Sequence, residues 1–212
     1  MGEFDFLIHA ETILLVIDMQ NDFCAPGGKI DQRGTDISAA RKIIPNVKRM
    51  IDECREIGVR VIFVRGENGL LTGSPTWNNR PAAKRDSSLG MRLIEPGSWG
   101  VQIVDELKPL PGDTVVVKFR YDAFKDTGLL TILRSNGIKN VVFVGVATNA
   151  CVESSVRAAF MEDYNVMVAS DCVAAYQQEL HEASLKTISI YFGRVSESQE
   201  IVEDLRASLI HA

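Results

Sequence analysis

Five short, nearly continuous apolar runs punctuate the chain at Thr12–Ile17, Val59–Val64, Thr114–Val117, Val141–Val146 and Val166–Ala169, with a weaker sixth near Ile188–Phe192. None alternates apolar with polar residues, so each reads as a strand covered on both faces. Amphipathic stretches lie between and after them, at Asp36–Ile57, Asp126–Asn136, Cys151–Asp163, Gln178–Thr187 and Glu197–Leu209. Pro45 either kinks the first of these or opens a new turn. Gly58 and Gly137 follow helical stretches where a left-handed cap is wanted. Strand alternating with helix predicts parallel βαβ units with right-handed crossovers, hence an α/β fold of three α/β/α layers. At 212 residues the chain is expected to form one domain, 1–212, with a core on both sides of the sheet. The irregular stretch Arg65–Ser98, rich in Gly, Pro, Asn and Arg, is long enough to be functional.

A net charge of −5 argues against a nucleic-acid partner or an acidic membrane surface. No apolar stretch approaches the roughly 18 residues that span a bilayer. The start, Met1-Gly-Glu-Phe-Asp-Phe, lacks the basic and apolar regions of a signal peptide, and Asp5-Phe6 does not complete a myristoylation motif after Gly2. Cys24, Cys54, Cys151 and Cys172 are widely spaced, as expected of reduced thiols in a cytoplasmic protein. There is neither a Gly-x-Gly-x-x-Gly nor a Gly-x-x-x-x-Gly-Lys-Ser/Thr motif for nucleotide phosphates.

Ligands of open parallel sheets bind beyond the carboxyl ends of the strands. The first strand there delivers Asp18, the third Lys118, and the fourth the turn to Cys151. One carboxylate, one ammonium and one thiol at one sheet edge suit a nucleophile (Cys151), a general base (Asp18) and a cation holding both charges (Lys118). The first helical turn after Cys151 predicts a lowered thiol pKa. Each residue also has a plain reading: a buried inert thiol, a turn cap, a solvated lysine. Phe23, Trp77, Tyr121 and Phe124 are candidate pocket walls or core rings. Asn149 either binds substrate or shapes the turn. Arg80, Lys84, Arg85 and Arg92 make the 65–98 stretch basic, for solvent, for an anionic substrate or for a subunit contact.

Four blocks resemble the isochorismatase-like cysteine hydrolases: Val16-Ile-Asp18-Met-Gln-Asn-Asp-Phe23, Pro26-Gly-Gly, Lys118-Phe-Arg-Tyr121-Asp-Ala-Phe124 and Gly145-Val-Ala-Thr-Asn-Ala-Cys151-Val-Glu-Ser-Ser. The resemblance, from about Thr12 to Phe192, implies a six-stranded parallel, Rossmann-like sheet and a catalytic triad of Asp18, Lys118 and Cys151. It further implies a cis peptide between Val146 and Ala147, and an oxyanion hole built from the backbone N–H groups of Ala147 and Cys151. Homo-oligomers, dimers or tetramers, are common in such a family.

Metal-dependent nicotinamidase-like members carry an Asp-x-His pair and a further His, whereas this chain has only His9, His181 and His211. No metal and no cofactor is therefore expected. A vinyl-ether hydrolase of the isochorismatase type does not need the Cys151 thiol. The similarity is strongest to ureidoacrylate amidohydrolases, through Gly73-Ser-Pro75, Gly97-Ser-Trp99, Val104-Asp-Glu-Leu107, Pro111-Gly-Asp113, Leu133-Arg-Ser and the Cys151 block. It implies a metal-independent amidohydrolase acting on a small ureido, carbamoyl or amide substrate. The Asn-Gly-Trp associated with that branch stands here as Arg65-Gly66-Glu67, so the surface dressing the substrate differs. The alternatives are the vinyl-ether hydrolase, a thiol redox sensor and a silent binding domain of the same fold.

Overall fold

The computed structural model describes residues 9–209. The Met1–Phe6 segment and His211 lie outside the described residues. A six-stranded, wholly parallel sheet forms the middle layer, in the order β3-β2-β1-β4-β5-β6. The strands are β1 Thr12–Ile17, β2 Arg60–Gly66, β3 Thr114–Lys118, β4 Asn140–Val146, β5 Asn165–Ala174 and β6 Gly193–Ser196. Every residue of β1 and β4 is buried, which their unbroken apolar runs require. Leu14 and Val16 of β1 enter the core on one face of the sheet, while Ile13, Leu15 and Ile17 enter the core on the other.

The helix Ile44–Glu56 begins with Pro45 in its first turn, separated from the short helix Ser38–Lys42, so the proline starts a new helix. Gly58 and Gly137 take φ of 77° and 65°, left-handed caps after their helices. The sixth strand is not where the apolar run near Ile188 suggests. Ile188 continues the helix Gln178–Tyr191, where it and Ser184 are buried at a four-residue spacing, and the strand begins only at Gly193. A Cβ at Gly193 would stand 2.1 Å from the Val166 carbonyl oxygen, so glycine is needed for β6 to close on β5. The 65–98 stretch is not wholly irregular either, since it holds short helices at Pro75–Asn78 and Pro81–Ser88. Among the described residues no helix is long and apolar enough to cross a membrane.

The chain order places a topological switch between β1 and β4: from β1 the chain first builds β2 and β3 on one side, then crosses to β4 on the other. Such a switch opens a crevice beyond the carboxyl ends of the two central strands. Gly145 permits their close approach, because a Cβ there would sit 2.0 Å from the Ile17 carbonyl oxygen.

Candidate active site

Three strand ends deliver charge or thiol into this crevice. Asp18 follows β1 in a left-handed conformation (φ 51°), its N–H donating to the Val64 carbonyl at 2.8 Å. Lys118 closes β3, and its side chain is only 2% exposed. Its Nζ lies 2.8 Å from Asp18 Oδ2, and donates to Cys151 Sγ at 3.3 Å and to the Arg120 carbonyl at 3.0 Å. The ammonium thus faces a carboxylate, a sulfur and a carbonyl oxygen. Burial works against this cation, but Asp18 and Cys151 outweigh it by charge and hydrogen bonding and hold its pKa above the ordinary lysine value.

Cys151 does not open an α-helix, as the amphipathic stretch suggests. The Ala147 carbonyl accepts from both Ala150 and Val152 N–H groups, and Thr148–Val152 form a π-helical turn ahead of the helix Glu153–Met161. Ser155 braces this turn, donating to the Cys151 carbonyl at 2.7 Å and accepting from Ala123 N–H at 3.0 Å. The peptide bond Val146–Ala147 is cis. Thr148 is fully buried, its hydroxyl 2.9 Å from His181 Nδ1. The expectation of a lowered thiol pKa is overturned. Burial and then the Asp18 carboxylate push the Cys151 thiol up to about 12, with Lys118 opposing them only in part.

A cleft of about 690 Å³ opens over Asp18, Lys118 and Cys151, and Phe23, Trp77, Tyr121, Ala147 and Asn149 line it. Phe124 does not. Its ring lies 6.4 Å from Tyr164 within the core on one side of the sheet. Of the basic residues of the 65–98 stretch, Arg80, Arg85 and Arg92 reach the cleft wall. Glu153 pairs with Arg157 and accepts from Ser184, which makes it a packing group. Cys24 is fully buried, and burial raises its thiol pKa. Among the described residues no three His, Cys, Asp or Glu side chains group so as to hold a metal ion.

Several residues that hold the cleft in shape are silent in sequence patterns. Gln20, wholly buried, donates to the carbonyls of Gly66 (3.0 Å) and Val101 (2.8 Å) and accepts from Gly66 N–H (2.8 Å). Asp22 accepts from Ile94 N–H at 2.6 Å and Lys29 N–H at 3.2 Å, joining two loops. Ile94 is a β-branched residue at φ 50°, a conformation that costs about 1–3 kcal/mol and that this bond helps to hold. Only the polar residue types around Asp18 hinted at such roles, because every partner but Lys29 lies 46 to 81 residues away.

The chain matches the isochorismatase domain over residues 12–200. It is 40% identical over 210 aligned residues to the ureidoacrylate amidohydrolase of Serratia proteamaculans, covering 94% of this chain and 84% of that protein. The corresponding protein of Agrobacterium fabrum is 39% identical, over 88% of this chain and 86% of its own. In structure, a cysteine hydrolase from Pseudomonas syringae pv. phaseolicola superposes with a TM-score of 0.79 at 24% identity, covering 94% of each chain. N-carbamoylsarcosine amidase from Thermoplasma acidophilum gives 0.71 at 26%, over 89% of this chain and 96% of that one.

Proposed function

The chain belongs to the isochorismatase family, and from that premise we propose a metal-independent cysteine amidohydrolase that cleaves a C–N bond of a small ureido, carbamoyl or amide substrate, with ureidoacrylate favoured. The carrying observation is a single ammonium, Lys118 Nζ, standing 2.8 Å from a buried carboxylate and 3.3 Å from a buried thiol at the floor of a cleft. Names borne by relatives at 40% and 39% identity support the choice of ureidoacrylate.

The chemistry follows from the charge states. Burial and the Asp18 carboxylate favour the protonated form of Cys151, so the thiol gives up its proton as it attacks. Asp18 takes that proton; its Oδ1 is buried with no hydrogen-bond donor among the described residues, so lone pairs remain to receive it. Proton transfer by a positioned group contributes about 10²–10⁴ in rate. Sγ bonds to the carbonyl carbon, and the backbone N–H groups of Ala147 and Cys151 stabilise the oxyanion. As the tetrahedral adduct collapses, the C–N bond breaks and Asp18 returns the proton to the departing nitrogen. A carbamoyl thioester remains on Cys151 when the leaving group is the substituted amine of a ureido acid. Water deprotonated by Asp18 then attacks this thioester, regenerating the thiol and releasing carbamate, which falls to carbon dioxide and ammonia.

A cytoplasmic setting and assembly as a homo-oligomer, dimer or tetramer, belong to the same proposal. Four free buried thiols fit a reducing compartment, and exposed Met161 and Tyr191 supply apolar helix surface for a subunit contact. Light scattering after gel filtration tests the assembly; a monomer at micromolar concentration sinks it.

The activity is tested by ammonia release from ureidoacrylate, N-carbamoyl amino acids, biuret, maleamate and nicotinamide, with pyruvate release from isochorismate followed separately. Turnover of a ureido or amide compound that vanishes in Cys151→Ala is the expected result. Pyruvate release that survives the substitution places the chain in the vinyl-ether branch instead.

A further inference from the structure

The cleft is far larger than the reacting group of a ureide needs, and its charge is unevenly matched. Five arginines line it: Arg33, Arg80, Arg85, Arg92 and Arg120. Three have carboxylate partners. Arg33 and Arg85 pair with Asp86 at 2.8 and 3.3 Å, and Arg92 pairs with Glu95 at 3.5 Å. Arg80 and Arg120 form no ion pair with any described residue, and both lie against the same indole. The guanidinium carbon of Arg80 is 3.6 Å from the centre of the Trp77 ring and that of Arg120 is 5.1 Å from it.

Both guanidiniums are fixed. Arg80 donates through Nε to Tyr121 Oη at 3.0 Å and through Nη1 to the Trp77 carbonyl. Tyr121 in turn meets the Trp77 ring edge-on, centroids 4.8 Å apart. Arg120 donates through Nη1 to the carbonyls of Thr72 (3.0 Å) and Phe119 (2.6 Å). Trp77 Nε1 donates to Asn68 Oδ1 at 3.2 Å, so the ring between the cations is held too. Nη2 of Arg80, and Nε and Nη2 of Arg120, have no protein acceptor among the described residues. Two like charges gathered on one ring in a partly desolvated cleft repel each other, and an anion relieves that cost with charge-assisted hydrogen bonds.

We propose that Arg80 and Arg120, stacked about Trp77, form an anion subsite that grips the carboxylate of the substrate. The subsite makes the enzyme selective for ureido or amide acids over neutral ureides. It deepens the amidohydrolase assignment and rests on it for the identity of the reacting group. Arg120 comes from the segment that begins at Lys118, so a carboxylate held there is tied by two residues of chain to the ammonium beside Cys151. Arg80 comes from the separate 65–98 stretch.

The test compares ureidoacrylate with its primary amide, which keeps shape and removes charge. Wild type is expected to prefer the acid by about 30-fold in kcat/KM, the worth of one charge-assisted contact. In Arg80→Gln that preference should fall below about threefold, mainly through KM, with Arg80→Lys recovering part of it. A wild type that treats acid and amide alike, or an Arg80→Gln enzyme that keeps the full preference, overturns the subsite. Absence of ureidoacrylate turnover, or turnover that persists in Cys151→Ala, counts against the amidohydrolase assignment instead. The subsite is then decided by calorimetry on Cys151→Ala, with ureidoacrylate and its amide as the probes. Tighter binding of the acid that Arg80→Gln abolishes sustains the subsite, and equal affinities reject it. Thermal melts of each variant separate a lost contact from a lost fold.

Discussion

Lys118 sets its ammonium against a carboxylate, a sulfur and a carbonyl, and that arrangement gives Cys151 opposite responses to removing the two neighbouring charges. Asp18 raises the Cys151 thiol pKa and Lys118 lowers it. Asp18→Asn should therefore speed alkylation of Cys151 by iodoacetamide at pH 8 while turnover falls at least about 10²-fold, since the proposed base is lost. Lys118→Met should slow alkylation and, by leaving a buried carboxylate unpaired, destabilise the fold by about 3–5 kcal/mol. Peptide mass mapping and urea unfolding read both, and equal alkylation rates in the two variants would contradict the charge assignment. The positions of these three residues were legible in the sequence because Asp18 directly follows a strand, Lys118 ends one and Cys151 lies in the turn after one. The sign of the thiol shift was not, because burial and the Asp18 contact arise only when strands far apart in sequence lie side by side. Arg120 and Asp22 sat inside recognisable blocks, yet their partners in the 65–98 stretch carry no periodicity that could have announced them.

At the scale of elements, the crevice exists because β1 and β4 approach without a side chain between them. Gly145→Ala places a Cβ against the Ile17 carbonyl at a residue with φ 119°, combining overpacking with backbone strain. A loss of at least about 3 kcal/mol is expected, measured as a lower urea midpoint or as insoluble protein. Wild-type stability in this variant would mean that the two strands do not pack so closely. Asp22 works between loops: Asp22→Ala strands the Ile94 and Lys29 N–H groups, at about 1–3 kcal/mol for each that stays buried. Because Ile94 and Met91 to Leu93 line the cleft, kcat/KM should fall along with stability. An unaltered kcat/KM would show that the loop does not shape the site. Strand and helix alternation was readable from the sequence, apart from β6, where a four-residue strand carries too few apolar residues to stand out beside the helix before it. The π-helical turn was likewise invisible, since a single extra residue per turn leaves the amphipathic pattern almost unchanged.

For the whole molecule, four buried thiols should make stability fall at alkaline pH. Burial is the leading cause that raises all four pKa values, to about 12 at Cys54 and Cys151. Unfolding exposes them to water, where they ionise near the ordinary value of 9.0. Above that pH the unfolded chain binds fewer protons than the folded one, so stability is full below about pH 9 and is lost as pH rises toward the folded values. Each thiol adds a slope of about 1.4 kcal/mol per pH unit. Urea midpoints should hold level from pH 7 to 8 and fall steeply by pH 10, with Cys54→Ala showing a shallower fall by one proton. Midpoints that stay flat to pH 10 would contradict this linkage.

The covalent step is tested most directly by quenching the enzyme in acid during turnover of ureidoacrylate and measuring its intact mass, then mapping the modified peptide. The mechanism predicts a carbamoyl group on Cys151 that appears within one turnover, decays when substrate is exhausted and is absent from Cys151→Ala. Unmodified protein throughout, with turnover preserved in Cys151→Ala, would contradict it.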